Sequence, residues 1–341
     1  MAAGITSGSV TIADVAELAG VSIRTVSRVL NQSTKVKPAT REVVERAIDA
    51  LSFSPSARAR GLSTGKSYLI GVVHNESNAL VLDAVQRGAV RETGARGYEL
   101  VVHPTPTGGD ASIENVLHFV RRSSVDGLIV LPPVSDTPGL GAALRNAGVP
   151  AFAISSVAVA NFTEVLVSPE REAAADVARY LLGLGHRRIA FISGPSSVHS
   201  ARERRSGFVT ALAEAGCGLI GEAEGDYGFD SGVEAGRRLL TRDPAPTAIF
   251  AANDVMAAGV LKAASGLSVA VPGALSVVGF DGGVLARMLT PALTSIHRPY
   301  DEMAEHATAA LLDIIEHKPR PFDYKVNLEL TPAESTAPLS E

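Results

Sequence analysis

Two arginines close together near the start of the chain could bind nucleic acid. Arg24 and Arg28 are four residues apart, so a helix would place both guanidinium groups on one face. A guanidinium group donates hydrogen bonds in a fixed plane, which suits both a phosphate and the major-groove edge of guanine. The hydroxyl-bearing residues at positions 22, 25 and 27 can donate to phosphate oxygens. The chemistry predicted for this segment is therefore the reading of a DNA duplex.

A pair of short helices joined by a glycine turn would position these arginines. Thr11 can cap a first helix, with Asp14 three residues later, and Gly20 would end it. Ser22 can cap a second helix, and a third is predicted to begin at Pro38. The inward-facing residues of the second helix are Val26, Val29 and Leu30. Those of the third are Val43, Val44, Ala47, Ile48 and Leu51. Three such helices can bury a small shared core, as in a helix-turn-helix domain.

The charge is unevenly distributed along the chain. Residues 1–66 carry nine Lys and Arg against five Asp and Glu, whereas the whole chain of 341 residues has a net charge of -5. The first segment is therefore at +4 and the remainder at -9. An ordinary helical hairpin with solvated arginines is the alternative interpretation of residues 10–31. A cationic segment on an acidic body instead favours the binding of a polyanion through one end.

From residue 67 onward, short β-rich runs alternate with helical stretches, which predicts an α/β body with parallel sheets and helices on both faces. The predicted strands are 68–73, 98–103, 125–131 and 151–154, then 188–193, 222–226, 247–252 and 275–280. Two similar lobes are implied, connected near 155–164 and 294–299. Because ligands bind beyond the carboxyl ends of parallel strands, the polar residues there are binding candidates. They are Asn75, Ser155, Ser193, Asn253 and Asp281.

Several classes of protein find no support in the sequence. The single cysteine, Cys217, cannot form an internal disulfide, and neither a secretory signal nor a membrane-spanning apolar run is evident, so we expect a cytoplasmic protein. The eight histidines lack metal-ligand spacing, and residues 61–67 fall one residue short of a phosphate-binding loop. No acid/base or nucleophile pair stands out. We therefore expect no metal, no cofactor and no enzymatic activity.

Six motifs, in this order, resemble those of one family of bacterial transcription regulators. They are VTIADVA (10–16), GVSIRTVSRVLN (20–31), VDGLI (125–129), LGHRRIAFI (184–192), PTAIFAAND (246–254) and SVVGFD (276–281). On these residues the chain is identified as a member of the lactose-repressor/galactose-repressor (LacI/GalR) family, from about Val10 to about Pro338. The resemblance implies a helix-turn-helix head and a two-lobed, periplasmic-binding-protein-like body. It also implies a homodimer that binds double-stranded, near-palindromic operator DNA and a small effector.

The resemblance assigns DNA contacts to the second helix and to a segment after the third. Ile23, Arg24 and Arg28 are expected to reach base edges, and contacts to the DNA backbone are expected from Ser22, Thr25, Ser27 and Asn31. Residues 54–62 match the family's hinge helix, and Leu62 falls at the leucine wedged into the minor groove. Unstacking the bases costs free energy, so hinge folding would be coupled to DNA bending. A linker residue packed on the body is the alternative for Leu62.

The resemblance also places effector-binding residues on both lobes. The second lobe contributes Ser200, Arg204, Tyr227, Asn253 and Asp281, and the first contributes the position of Ser155, while Asn75 is a candidate of the first lobe because it follows a strand. Carboxylate, amide, guanidinium and aromatic groups together suit a sugar. Many sugar-responsive relatives carry an aspartate where this chain has Ser155, so the first lobe's half of the pocket is expected to be smaller and less polar. A buried ion pair with Arg204, without ligand contact, is the alternative for Asp281.

These expectations divide the chain into three segments: a helix-turn-helix head (1–53), a hinge helix and linker (54–66), and an effector-binding and dimerisation body (67–341). The primary hypothesis is a transcriptional repressor controlled by a sugar or sugar derivative. A corepressor-dependent repressor, or an activator with a non-sugar metabolite, is the alternative, and a sugar-binding enzyme is a more remote one. No leucine heptads follow residue 330, which favours a dimer over a tetramer held by a C-terminal coiled coil.

Overall fold

The structure, a computed structural model, describes residues 10–30, 33, 35–53, 65–75, 78–106 and 109–339. By its internal contacts the chain divides into two compact units, Met1–Ser67 and Tyr68–Glu341. The first unit, called the head below, contains α1 (Ile12–Ala19), α2 (Ile23–Leu30) and α3 (Pro38–Ala50). The second unit, called the body, contains two α/β lobes, each built on its own sheet.

Side-chain caps fix where the first two helices of the head begin. The backbone N–H of Thr11 donates to Asp14 Oδ2 at 2.7 Å, and the Thr11 hydroxyl accepts from the Asp14 backbone N–H at 3.4 Å. This reciprocal pair is the predicted capping box. Gly20 ends α1 with a φ of +66°, a left-handed conformation that glycine adopts without strain. Ser22 Oγ accepts from the Thr25 backbone N–H at 3.2 Å, so the predicted cap of α2 is also confirmed.

A small aliphatic core holds the three helices together. Its buried residues are Val15, Ala16, Val26, Val29, Val44 and Ala47. Arg41 of α3 donates to the Val29 carbonyl at 3.4 Å, near the end of α2, and to the carbonyl of Ser33 at 2.9 Å. Val43, predicted to join this core, is 37% exposed instead. Successive residues on a helix are rotated by about 100°, so turning Val44 inward carries Val43 off the buried face.

The first lobe of the body is a five-stranded, fully parallel sheet with the strand order β2-β1-β3-β4-β5. Its elements before the first crossing to the other lobe are β1 (Leu69–His74), α4 (Ala79–Ala95), β2 (Glu99–Pro104), α5 (Gly109–Ser123), β3 (Gly127–Val130), a short 3-10 helix (Val134–Asp136), α6 (Leu140–Asn146), β4 (Ala151–Ser155) and β5 (Glu164–Val167). The central strands β1, β3 and β4 are almost wholly buried, as expected for a sheet covered on both faces.

The second lobe is a six-stranded sheet with the order β11-β10-β9-β8-β6-β7, in which only β11 is antiparallel to its neighbour. Its elements are α7 (Glu170–Gly183), β6 (Ile189–Ser193), α8 (His199–Glu214), β7 (Leu219–Glu224), α9 (Phe229–Leu240), β8 (Ala248–Ala251), α10 (Asp254–Gly266), β9 (Ser276–Asp281), α11 (Val284–Met288), β10 (Thr294–His297) and β11 (Glu329–Thr331). The predicted two-lobed α/β body with parallel sheets is confirmed.

The chain passes between the lobes three times. The first connection, residues 168–169, joins β5 to α7, and the second, residues 298–299, joins β10 to α12 (Tyr300–Ile315). Helix α12 packs against α4 and against β3, β4 and β5, so it completes the first lobe before the chain returns to β11. The predicted connection near 294–299 is confirmed, but the one near 155–164 is wrong because that segment leads into β5 of the first sheet.

Within the described ranges, every helix is too short or too polar to cross a membrane.

Candidate functional site

The outer surface of α2 carries most of the residues predicted to contact DNA. Arg24 and Arg28 are exposed, and the Ile23 side chain is 51% exposed even though it is apolar. Ser22 lies exposed at the helix start, where its hydroxyl is 2.9 Å from the Thr25 hydroxyl. The side chains of residues 25 and 27 are partly buried. Two predicted contacts, Asn31 and Leu62, lie outside the described residues, as does the predicted hinge helix at 54–62.

A cavity of about 540 Å³ lies between the two lobes of the body. Polar residues that follow strands line it from both sides, as the position beyond the carboxyl ends of parallel strands predicts. Of the residues predicted to bind effector, six line the cavity: Asn75, Ser200, Arg204, Tyr227, Asn253 and Asp281. The first lobe also contributes aliphatic side chains, namely Val81, Val85, Leu131 and Ile154. Ser155 is not among the lining residues.

On the first lobe, the carboxylate at the cavity comes from Asp136. Ser155 is fully buried, and its hydroxyl donates to Asp136 Oδ1 at 2.9 Å. Asp136 ends the short 3-10 helix after β3, and it faces His199 of the second lobe, whose Nδ1 is 3.6 Å from the same oxygen. Asp136, rather than Ser155, therefore lies at the wall, and Ser155 supports it from behind. Sequence inspection missed Asp136 because five residues separate it from the end of β3.

On the second lobe, one polar wall is held by mutual hydrogen bonds. Asn253 caps α10 by accepting the Met256 backbone N–H at 2.8 Å, and its amide donates to the Tyr227 carbonyl at 3.0 Å. Tyr227 adopts a φ of +69°, and its hydroxyl lies 3.1 Å from Ser200 Oγ. The Tyr227 ring packs against Gly194 so closely that a Cβ at residue 194 would overlap the ring. This glycine is therefore required for the position of the tyrosine.

A buried carboxylate, Glu170, holds two arginines of the cavity wall. Its Oε2 accepts from Arg204 Nε at 2.7 Å, and its Oε1 lies 3.1 Å from Arg298 Nη1. Arg204 also donates to the Ala252 carbonyl, and its guanidinium carbon lies 3.8 Å from the centre of the Phe280 ring. Burial raises the pKa of Glu170, but the two guanidinium groups lower it more, so the pKa is below its usual value.

Asp281 is bound to Tyr300 rather than to Arg204. The Tyr300 hydroxyl donates to Asp281 Oδ1 at 2.8 Å and accepts from Arg298 Nη1 at 3.0 Å. The ion pair considered for Asp281 and Arg204 is therefore replaced by the pair between Glu170 and Arg204. Burial raises the pKa of Asp281 and, further, that of its neighbour Asp254.

Three of these residues, Glu170, Arg298 and Tyr300, were missed in the sequence. Their only signal is that each stands immediately beside the end of a strand or the start of a helix at a lobe connection. Charged residues are rarely buried, so the sequence gives no sign that Glu170 and Arg298 belong to a buried site, and Tyr300 becomes a member only through its contacts with Arg298 and Asp281.

Two family models match the chain. Residues 11–56 match the model described as bacterial regulatory proteins, lacI family, and residues 178–336 match a periplasmic binding protein-like domain. Among curated relatives, the ribose operon repressor of Escherichia coli (strain K12) is 35% identical over 326 residues, covering 94% of this chain and 97% of the relative. The HTH-type transcriptional repressor PurR of Yersinia enterocolitica is 34% identical, covering 96% and 97%.

Solved structures give the same result. A lac repressor dimer bound to operator and the anti-inducer ONPF aligns with a TM-score of 0.81 at 30% identity, covering 97% of this chain and all of that one. The complex of the transcriptional regulator CelR with cellobiose aligns with a TM-score of 0.69 at 30% identity, covering 96% and 99%. This chain belongs to the lacI family of bacterial regulatory proteins.

Proposed function

We propose that this protein is a repressor that binds a near-palindromic operator as a homodimer. Its affinity for the operator changes, in either direction, when a sugar or sugar derivative binds in the body. Residues 1–53 would read the DNA, residues 54–66 would connect head to body, and residues 67–341 would bind effector and form the dimer. The observation that carries this proposal is the convergence of six predicted effector residues, from separate segments, on one cavity between two lobes.

The head supports DNA binding through the surface of α2. The exposed guanidinium groups of Arg24 and Arg28 can bond to guanine edges or phosphates, and the exposed side chain of Ile23 can contact a thymine methyl group. Two heads on one dimer bind two half-sites at a raised effective concentration, so each head can be weak alone. The similarity to a lac repressor dimer bound to operator supports this arrangement.

The cavity wall favours an effector with hydroxyl groups on one side and an apolar face on the other. The second lobe offers amide, hydroxyl, carboxylate and guanidinium groups, from Asn253, Tyr227, Asp281 and Arg204. Aliphatic residues of the first lobe, such as Leu131 and Ile154, lie on the other side. Sugars combine polar edges with apolar ring faces, so they suit a wall of both kinds. The similarity to a ribose operon repressor and to a cellobiose complex points to the same class of ligand.

The effector class is tested by a thermal-shift screen of full-length protein with D-ribose, D-glucose, cellobiose and non-sugar metabolites. The wild-type unfolding midpoint is expected to rise with at least one sugar, and a rise seen only with non-sugar metabolites contradicts the proposed class.

DNA binding is tested on an operator selected from random duplexes, with the affinity measured against salt concentration. The affinity should fall steeply with salt, and Arg28→Ala should weaken it, whereas Arg46→Ala, at an exposed arginine of α3, is the matched control. A flat salt dependence, or equal losses in the two variants, contradicts the DNA-binding role given to α2. The direction in which the effector shifts affinity distinguishes an inducible repressor from a corepressor-dependent one.

A further inference from the structure

The two short connections between the lobes, residues 168–169 and 298–299, end beside the same buried carboxylate. Glu170 is the first residue of α7, directly after the first connection, and Arg298 lies in the second connection. The Glu170 side chain has no solvent exposure, and that of Arg298 is 3% exposed. Their charged atoms are 3.1 Å apart. One ion pair thus fastens the start of α7 to the second connection.

The Glu170 carboxylate is connected to residues of the cavity wall in two ways. Directly, Glu170 accepts from Arg204 Nε at 2.7 Å, and Arg204 lines the cavity. Indirectly, Arg298 donates to the Tyr300 hydroxyl at 3.0 Å, and that hydroxyl donates to Asp281, which also lines the cavity. Arg204 and Asp281, both predicted to bind effector, are therefore joined to each other by a chain of contacts that runs through groups at the lobe connections.

We propose that Glu170 is a positioning residue that holds Arg204 and both lobe connections in one arrangement, so that effector bound in the cavity is sensed at the connections. This inference rests on the proposed function, because it concerns how an occupied cavity changes the relation between the lobes. If a ligand draws Arg204 toward the cavity, the Glu170 carboxylate is expected to move with it. An unpaired charge in the protein interior is costly, so the buried ion pair stays together.

A buried Arg–Glu–Arg cluster suits a positioning role better than a stabilising one. The cost of removing three charged groups from water offsets much of their attraction, and well-packed apolar side chains often stabilise a fold as much. The hydrogen bond from Arg204 Nε to Glu170 Oε2 orients the Arg204 guanidinium group, because a guanidinium group bonds a carboxylate only in a few geometries, and Arg298 adds a charge contact at 3.1 Å. When structural elements can adopt only a few discrete arrangements, ligand binding at one site can change which arrangement another site adopts.

The chain contains a matched control one residue away. Arg171 of α7 binds Glu203 of α8 through two hydrogen bonds of 2.8 Å, so this pair joins the same two helices as Glu170 and Arg204. The Arg171 side chain is 60% exposed, and it touches neither the cavity wall nor the second connection in the described structure. Removing this pair tests the effect of any ion pair between α7 and α8.

The experiment is hydrogen–deuterium exchange on full-length protein without effector, which requires no knowledge of the ligand. We compare wild type with Glu170→Gln, Arg298→Gln, the double variant Glu170→Gln/Arg298→Gln, and the control Arg171→Gln/Glu203→Gln. Peptides covering 164–172 and 294–302 report on the two connections, and peptides of the buried strands β1 and β8 report on the lobe cores. Each single substitution should raise exchange at least tenfold in both connections, including the one it does not lie in.

The double variant should exchange about as fast as Glu170→Gln in both connections, because Arg204, the other partner of Glu170, is left without its carboxylate in both variants. The control should stay within twofold of wild type. Exchange raised only beside the substituted residue, a uniform rise that includes β1 and β8, or an equal rise in the control would each overturn the proposal. If Glu170→Gln fails to fold, Arg298→Gln gives the decision alone, because it leaves Glu170 paired with Arg204. A negative result in this experiment would not contradict the proposed DNA and effector binding, because those are tested by separate measurements.

Discussion

Replacing Asp281 by asparagine is predicted to stabilise the fold while it weakens effector binding. The Asp281 side chain is buried at the end of β9, with the buried carboxylate of Asp254 as a neighbour. Asp254 is held by the Ser295 hydroxyl at 2.6 Å and by the Gly282 backbone N–H at 2.9 Å. Asparagine keeps an oxygen that can accept the Tyr300 hydroxyl, now 2.8 Å from Asp281. The substitution therefore removes a charge and little else.

The sign of the effect follows from the raised pKa of both carboxyl groups. Burial raises the folded-state pKa of Asp281 above its ordinary 3.8, so between these two values the folded protein binds more protons than the unfolded chain. Stability therefore rises as pH falls through this window, and at neutral pH the ionised group costs stability. Each unit by which the pKa is raised costs about 1.4 kcal/mol, which corresponds to about 3 to 6 °C in the unfolding midpoint of a domain of this size. Asp254 contributes in the same direction, because its pKa is raised further.

The assay is thermal unfolding of wild type and Asp281→Asn at several pH values. The variant should unfold at a higher temperature near pH 7.5, and its advantage should shrink as the pH falls through the raised pKa of the wild-type carboxyl group toward its ordinary 3.8. The stabilising sugar found in the thermal-shift screen should raise the midpoint of the variant much less than that of wild type. A lower midpoint at pH 7.5, or an advantage independent of pH, would refute the reasoning.

Three further substitutions test separate parts of the site. Arg28→Ala should make the negative slope of log affinity against log salt shallower by roughly 0.9 for each phosphate that the guanidinium group neutralises in the wild-type complex, and an unchanged slope together with unchanged affinity would exclude Arg28 from the interface. Gly194→Ala should displace the Tyr227 ring and abolish the sugar-induced thermal shift with the circular dichroism spectrum intact, so a normal shift contradicts the packing described. Ser155→Ala removes the donor to Asp136 and should cost about 1 to 3 kcal/mol of unfolding free energy, measured by urea denaturation; a neutral effect would mean that the hydrogen bond contributes nothing.

Much of the fold could be predicted because local chemistry determines it. The capping box at Thr11, the left-handed turn at Gly20 and the helical spacing of the valines each depend on residues a few positions apart. The central strands β1, β3 and β6 are legible because strands buried on both faces are continuous apolar runs. The edge strand β5 is four residues long and only partly buried, so its sequence lacks that signal.

What could not be predicted depends on contacts between distant segments. Helix α12 completes the first lobe although more than 130 residues separate it from β5, and no local pattern gives the lobe to which a helix returns. The predicted effector residues converge because they follow strands of parallel sheets. Glu170 and Arg298 instead become members of the site only when two connections meet, and Asp136 replaces Ser155 at the wall because a hydroxyl can support a carboxylate from another segment.

The affinity of full-length protein for its selected operator, with and without a saturating concentration of the stabilising sugar, is the most direct measurement. If ligand binding between the lobes changes the affinity of the paired heads for DNA, the two dissociation constants should differ by about 5-fold to 150-fold. This range corresponds to a coupling free energy of about 1 to 3 kcal/mol. Equal dissociation constants, with ligand binding demonstrated in the same samples, would contradict that coupling.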